Sequence, residues 1–180
     1  DLNPVIAYER GVVAVDARVV LKPRDVAAKV LQKGRYGHLA VYPYPRELEE
    51  TMTLKNGVEL LVRPIQPEDA DREREFVSRL SPETLYFRFM MPVRELSASM
   101  IERFTQIDYG RELALVGVIG SGPTAKIVGV ARITPTTIPE RCEFAIVVEE
   151  TMQGTGLART LMLRIIQAAG ARGYREVEGI

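Results

Sequence analysis

Residues 143–161 read Glu143-Phe144-Ala145-Ile146-Val147-Val148-Glu149-Glu150-Thr151-Met152-Gln153-Gly154-Thr155-Gly156-Leu157-Ala158-Arg159-Thr160-Leu161, and the change of period within them decides the fold. Glu143 to Val148 is a β-prone run in which alternate side chains share a face, so Glu143, Ala145 and Val147 lie opposite Cys142, Phe144 and Ile146. From Leu157 to Arg172 the period becomes helical. Leu157, Leu161, Ile165 and Ala168, with Ala158, Met162, Ile166 and Ala169 beside them, make a wide apolar stripe that predicts a helix lying on a sheet. Gly170 and Gly173 close it, and Tyr174 to Ile180 starts a further strand. Between strand and helix sits Gln153-Gly154-Thr155-Gly156-Leu157-Ala158. Glycines let the backbone approach a ligand there, and the first helical N–H groups lack intrahelical partners and stand at the positive end of the dipole. Such a turn binds phosphate.

Working back toward the N-terminus, Glu112 to Ile119 and Ala125 to Ile133 read as strands around the turn Gly120-Ser121-Gly122-Pro123. Ser97 to Gln106 is a short helix. Ser81-Pro82-Glu83 supplies a cap, a first-turn proline and an acid at the positive end of a helix that runs to about Phe89. Pro67 to Leu80 is helical, with Phe76, Val77 and Leu80 inward and Asp71-Arg72-Glu73-Arg74-Glu75 outward. Lys55-Asn56-Gly57 separates Glu50–Leu54 from Val58–Ile65, a hairpin signal. The fold class is therefore mixed α/β.

Tyr42-Pro43-Tyr44-Pro45 continues neither helix nor central strand, because each proline lacks an N–H and restricts the residue before it. A boundary near residue 49 divides the chain into 1–49 and 50–180. Before it, Val12 to Leu21 is a strand with a partner from Pro4 to Tyr8, and Asp25 to Gln32 is a short helix ended by Gly34.

Lys plus Arg and Asp plus Glu both total 24 among 180 residues, of which 46% are hydrophobic, so the chain has material for a core and no net field that favours nucleic acid. The single cysteine, Cys142, makes no internal disulfide, and with His38 it does not supply a zinc ligand set. A reducing cytoplasm fits best. No apolar run approaches ~18 residues, so no membrane span is expected. The chain starts without methionine and stops at Gly179-Ile180 inside an apolar pattern, which suggests a piece of something longer.

Two phosphate loops do not fit. The Walker pattern needs a Gly-Lys pair, which is absent, and the dinucleotide fingerprint needs a third glycine where the chain has no match, behind hairpin strands rather than a βαβ repeat. Gln153-x-x-Gly156-x-Ala158 between strand and helix instead resembles the Q/R-x-x-G-x-G/A signature of the GCN5-related N-acetyltransferase (GNAT) family. The order of elements from about Thr51 to Ile180 is similar to that family's as well. Val62-Arg63-Pro64-Ile65 with Pro67-Glu68-Asp69, and Leu80-Ser81-Pro82-Glu83-Thr84-Leu85-Tyr86-Phe87-Arg88-Phe89, look like the bacterial protein lysine acetyltransferases of the Pat type. Those carry such a domain behind an acyl-CoA synthetase-like region. Asp1-Leu2-Asn3-Pro4 and Gly11 to Arg18 are similar to the closing strands of an ATP-grasp domain, only the tail of which is present.

The resemblance implies a mostly antiparallel central sheet flanked by helices, cut after the start of its fifth strand. It implies acetyl-CoA or coenzyme A as cofactor, its pyrophosphate held by Gln153, Gly154, Thr155, Gly156, Leu157 and Ala158 and its pantetheine arm by main-chain groups of Ile146, Val147 and Val148. Arg159 is a candidate charge partner, although a solvated arginine is the simpler reading. A lysine amine with pKa ~10.4 is neutral about once in 2,500 at pH 7, so a base is useful, and the family often places a glutamate where Glu143 stands. The alternative for Glu143 is a strand-end charge paired with Arg141 or another arginine. Tyr86, Phe87, Phe89, Met90 and Met91 wall an acceptor groove or pack the core. The reaction implied is acetyl or short-acyl transfer to a protein lysine ε-amine, an acyl-CoA synthetase being one candidate acceptor. A small-molecule amine acceptor, an acyl-CoA-binding regulatory module and a synthetase whose activity lies in a missing part stay open beside it. The strand from Tyr174 leaves an apolar edge, so it is expected to be either paired by another chain, a second copy being one candidate, or poorly ordered.

Overall fold

A computed structural model describes residues 5–15, 42–90 and 95–179. The chain divides into two compact units, Asp1–Pro43 and Tyr44–Ile180. In the first, β1 (Val5–Ala7) and β2 (Val12–Ala14) pair antiparallel, with Ile6 opposite Val13. Asn3, His38 and the helix expected at Asp25 to Gln32 lie outside the described residues, as does Met91. The division falls earlier than residue 49 because Tyr44 donates its hydroxyl to Pro64 O at 3.1 Å and the turn Arg46–Leu48 packs on the strand that ends at Pro64.

The second unit holds a six-stranded sheet in the order β3 (Glu50–Thr53), β4 (Glu59–Pro64), β5 (Leu113–Ile119), β6 (Lys126–Pro135), β7 (Arg141–Val148) and β8 (Glu176–Glu178). All neighbours are antiparallel except β7 and β8, which run parallel. On one face lie α1 (Ala70–Ser78), α2 (Pro82–Phe89) and α3 (Ala98–Thr105). Phe76, Val77, Leu85 and Ile101 from these helices bury against Val116, Val118 and Val130 of the sheet.

The other face is covered by α4 (Leu157–Ala171). It sits close because β5 and β6 present glycines: a Cβ on Gly129 would stand 3.0 Å from Leu161 Cδ1 and 3.2 Å from Leu157 Cδ2. Leu157, Leu161, Ile165, Ala168 and Ala169 are buried, but Ala158 and Ile166 face solvent, so the buried stripe is narrower than the apolar pattern. Gly170 lies within the helix. Gly173, at φ +87°, ends it, with Tyr174 N–H bonded to Ala169 O and Gly173 N–H to Gly170 O, which satisfies the last carbonyls.

The entry to α1 is fixed by Asp69. Its carboxylate accepts two donors of Arg63 at 2.6 Å each and the N–H of Gln66 at 2.9 Å. The charged run after it is not uniformly outward. Asp71, Arg74 and Glu75 are exposed, whereas Glu73 is 5% exposed and points at the sheet. One turn before Phe76 and Val77, it shares their side of the helix, which the charge run conceals.

Candidate active site

β8 pairs with β7 over only three residues, Arg141 opposite Glu176, Cys142 opposite Val177 and Glu143 opposite Glu178. Past Glu143 the β7 edge opens into a cleft of about 550 Å³, lined along one wall by Phe144 to Val148 and along the other by Thr84, Phe87, Arg88, Phe89 and Met90 of α2 and its C-cap. The main chain of Ile146, Val147 and Val148 thus lies in the cleft wall, where a strand edge can hydrogen-bond an extended amide-bearing ligand. Phe87 and Met90 are 64% and 54% exposed, which makes them cleft wall rather than core. Phe89 is half-buried and stacked on Phe104, and Tyr86 is exposed.

At the far end of β7 the chain passes through the turn Glu150–Met152 into Gln153–Gly156. Gly154 and Gly156 have φ of +75° and +91°, and Gly156 caps α4. That left-handed cap opens α4, whose first N–H groups lack intrahelical partners. Gln153 and Ala158 are exposed, as is Arg159. Thr155 and Leu157 face the other way: the Thr155 hydroxyl donates to Met152 O at 2.6 Å and the Leu157 side chain is in the core, and their N–H groups are engaged within the loop, Thr155 with Met152 O and Leu157 with the Thr155 hydroxyl, each at 3.4 Å. The loop is backed by the β3–β4 hairpin, where Lys55 N–H donates to Thr155 O at 3.2 Å and the Lys55 stem lies against Gly156.

Glu143 stands at the opposite end. It lines the large cleft and also a second space of about 170 Å³ on its other side, bounded by Arg88, Arg103, Phe104, Glu112, Arg132 and Thr134. The carboxylate makes no hydrogen bond or ion pair among the described residues. Arg141 is not its partner, being held by Glu176 at 2.6 Å and Glu178 at 3.2 Å. Arg88 approaches it from α2. Burial pushes the Arg88 and Arg132 guanidiniums down from their ordinary value, and Glu73 pulls both back up. Beyond the second space a shallow groove of about 460 Å³ continues past Arg103, Asp108, Arg111 and Thr134.

Cys142 is buried, and burial pushes its thiol up, which disfavours the nucleophilic thiolate. Arg88, Arg132 and Lys55 had no signal of their own in the sequence. Arg88 lies in the last turn of a helix and Lys55 sits in a hairpin turn, positions whose common default is solvent.

A mostly antiparallel sheet opened at one strand edge, with a glycine turn feeding a helix N-terminus at one end of that strand and a carboxylate at the other, is the architecture of an acyltransferase. The chain belongs to the acetyltransferase (GNAT) family, which it matches over residues 83–179, and it is an acetyltransferase. It is 33% identical over 128 residues to an acetyltransferase of Pseudomonas aeruginosa, covering 71% of this chain and 69% of that one. The GNAT domain of S. lividans PAT is 30% identical, with a TM-score of 0.69 over 76% of this chain and 80% of that domain. An N-acetyltransferase from Staphylococcus aureus, 20% identical and covering 67% of this chain and 72% of that one, shares the fold at a TM-score of 0.53. Enzymes of this family use acetyl-CoA. Among the described residues no helix is long and apolar enough to cross a membrane.

Proposed function

We propose that the protein transfers an acetyl or related short acyl group from its CoA thioester to the ε-amine of a protein lysine, with Glu143 as base. The observation that carries this is the position of the Glu143 carboxylate, unpaired among the described residues, at the seam where the large cleft and the second space meet, a seam that Arg88, Phe144 and Ala145 also line. An amine entering through the second space reaches the thioester beside that carboxylate. The amine nitrogen bonds to the thioester carbonyl carbon, the C–S bond breaks, Glu143 takes the amine proton directly or through water, and CoA leaves as a thiolate. A thiol of pKa ~8.5 leaves without strong acid assistance. The N–H groups of Gly154, Gly156 and Ala158, with Gln153 beside them, hold the pyrophosphate, and main-chain groups of Ile146, Val147 and Val148 hold the pantetheine amides.

A protein acceptor is favoured by the open groove past Arg103 and Thr134, which admits a lysine stem with chain on either side, and by likeness to the GNAT domain of S. lividans PAT. Segment 1–49 is read as the tail of an ATP-grasp-like region that precedes the acetyltransferase domain. The test is incubation with labelled acetyl-CoA and, in separate arms, a protein acceptor and small amines, with binding followed apart from transfer. Glu143→Gln is expected to bind acetyl-CoA as the parent does and to lose about a hundredfold or more in transfer. Unchanged turnover would remove Glu143 from the mechanism, and binding without transfer to any amine would favour a regulatory module.

A further inference from the structure

Behind the two arginines that face Glu143 lies a third carboxylate the mechanism has not used. Glu73 of α1 is 5% exposed and Arg132 of β6 is 7% exposed. Glu73 Oε2 and Arg132 Nε are both shut off from solvent with no hydrogen-bond partner. They border the same small space of about 10 Å³, which Arg88, Phe89, Phe104 and Val147 also line together with apolar side chains of α1 and β6. A space of that size holds about one water, and an orphan acceptor and an orphan donor that border it are the kind of groups a bridging water satisfies.

The guanidiniums are held in place by other contacts. Arg132 donates to Phe104 O at 2.6 Å, stands 3.8 Å from Glu112 Oε2 and lies 5.2 Å over the Phe104 ring. Arg88 lies 5.2 Å over Phe89 and 6.0 Å over Phe104. Both arginines therefore flank Phe104, with Glu73 behind them and Glu143 in front. Two cations beside a general base are a hazard: if either paired with Glu143, the carboxylate would be a poorer proton acceptor. The structure keeps Glu143 out of any ion pair, and the buried charge of Glu73 draws on the same two cations from the opposite side.

We propose that Glu73 is a positioning residue for acyl transfer, holding Arg88 and Arg132 from behind so that both stand beside Glu143 without pairing with it. The proposal rests on Glu143 being the base. The groups that face this cluster are Asp69 at the start of α1, Arg88 from α2, Arg103 from α3, Glu112 ahead of β5, Arg132 from β6 and Glu143 from β7. Burial pushes Glu73 up to about 7 against the pull of Arg132 and Arg88, so its charge is the least secure of the set.

The experiment is a double-mutant cycle on the full chain, with acetyl-CoA and Nα-acetyl-lysine amide as probes, read as kcat, KM and the acid limb of kcat. Glu73→Gln keeps the shape and removes the charge. The expected result is a fall in kcat of about tenfold and an acid limb moved about one unit lower, the equivalent of one unit of base strength, with KM for acetyl-CoA unchanged. In the Glu143→Gln background the same substitution is expected to change kcat less than about twofold, because it acts through the missing carboxylate. An equal loss in both backgrounds, or a folded Glu73→Gln with parental kcat and acid limb, overturns the role of Glu73. Full activity of Glu143→Gln alone removes the base reading instead, and is recognised from that single variant. Should Glu73→Gln not fold, Glu73→Asp replaces it: a shortened carboxylate is expected to shift the acid limb only where Glu143 is present, and a shift in both backgrounds overturns the proposal.

Discussion

The Thr84 hydroxyl donates to Glu150 Oε1 at 2.8 Å, joining helix α2 to the turn that follows β7. The same oxygen accepts Ser81 N–H at 3.0 Å, so one carboxylate caps α2 and ties the two walls of the cofactor cleft together. The donors of Ser81, and then Thr84, hold Glu150 down at about 2 against some desolvation. Because the folded state prefers the ionised form, the contribution is complete above the ordinary carboxylate value and is lost as pH falls toward 2. Glu150→Ala is expected to lower stability by about 1 kcal/mol near neutral pH and to raise KM for acetyl-CoA, the walls being less well registered. Urea unfolding at several pH values checks it: the gap between parent and variant should close below about pH 3, and a gap that widens on acidification contradicts the clamp.

Lys55 carries a positive charge toward the N-terminal end of α4, where the helix dipole disfavours a cation. Its side chain has no ion-pair partner among the described residues, so in the proposed binding mode an incoming diphosphate would supply the anion that makes the arrangement favourable. Lys55→Ala should weaken CoA binding about five- to tenfold without altering kcat, with a difference that shrinks at high salt. Calorimetric titration with CoA at two ionic strengths measures this, and equal affinities would place the ammonium away from the phosphates.

The strand, glycine turn and helix from Glu143 to Arg172 were legible because each is written locally, in a period of two, a pair of glycines and a period near four. Ser81 as N-cap and Asn56-Gly57 as a hairpin were legible for the same reason. Arg88, Arg132 and Lys55 were not, since their meaning comes from partners far along the chain: Arg132 meets Phe104 and Glu73, and Lys55 meets Thr155. Glu73 misled outright. A charge within Asp71-Arg72-Glu73-Arg74-Glu75 reads as solvated, yet its place one turn before Phe76 and Val77 turns it inward.

Asp69 should be the most costly single carboxylate to lose from the fold. Its side chain is 1% exposed and meets Arg63 twice, with Arg72 at 3.3 Å. Burial pushes the carboxyl up, but the Arg63 donors, the Gln66 N–H and Arg72 outweigh it and hold it below its ordinary value. Asp69→Asn leaves the largely buried Arg63 side chain with a weaker acceptor, and about 3 kcal/mol of stability should go with it. The loss is expected in full above the ordinary carboxylate value and diminishes as pH falls through the depressed one, because the parent protonates there too. Chemical denaturation read at pH 7 and again in acid decides it; a variant as stable as the parent at pH 7 would mean the pair contributes nothing.

Gly129 offers the sharpest separation of fold from chemistry. An added methyl would meet Leu161 at 3.0 Å, Leu157 at 3.2 Å and Val148 at 3.3 Å, contacts tighter than packed side chains ordinarily make. These neighbours are the first turns of α4 and the last residue of β7, so the strain falls on the two elements that bracket Gln153–Gly156. If α4 yields by a few tenths of an ångström, its N–H groups shift relative to the β7 edge, and a ligand that must reach both is held less well. Gly129→Ala is thus expected to cost about 1–3 kcal/mol of stability and to raise KM for acetyl-CoA, while kcat at saturation changes little, since Glu143 lies at the other end of β7. Thermal unfolding and steady-state kinetics on the same preparation test both halves. A variant that keeps its KM but loses kcat would show that the position of α4 matters to the base and not to the cofactor cradle.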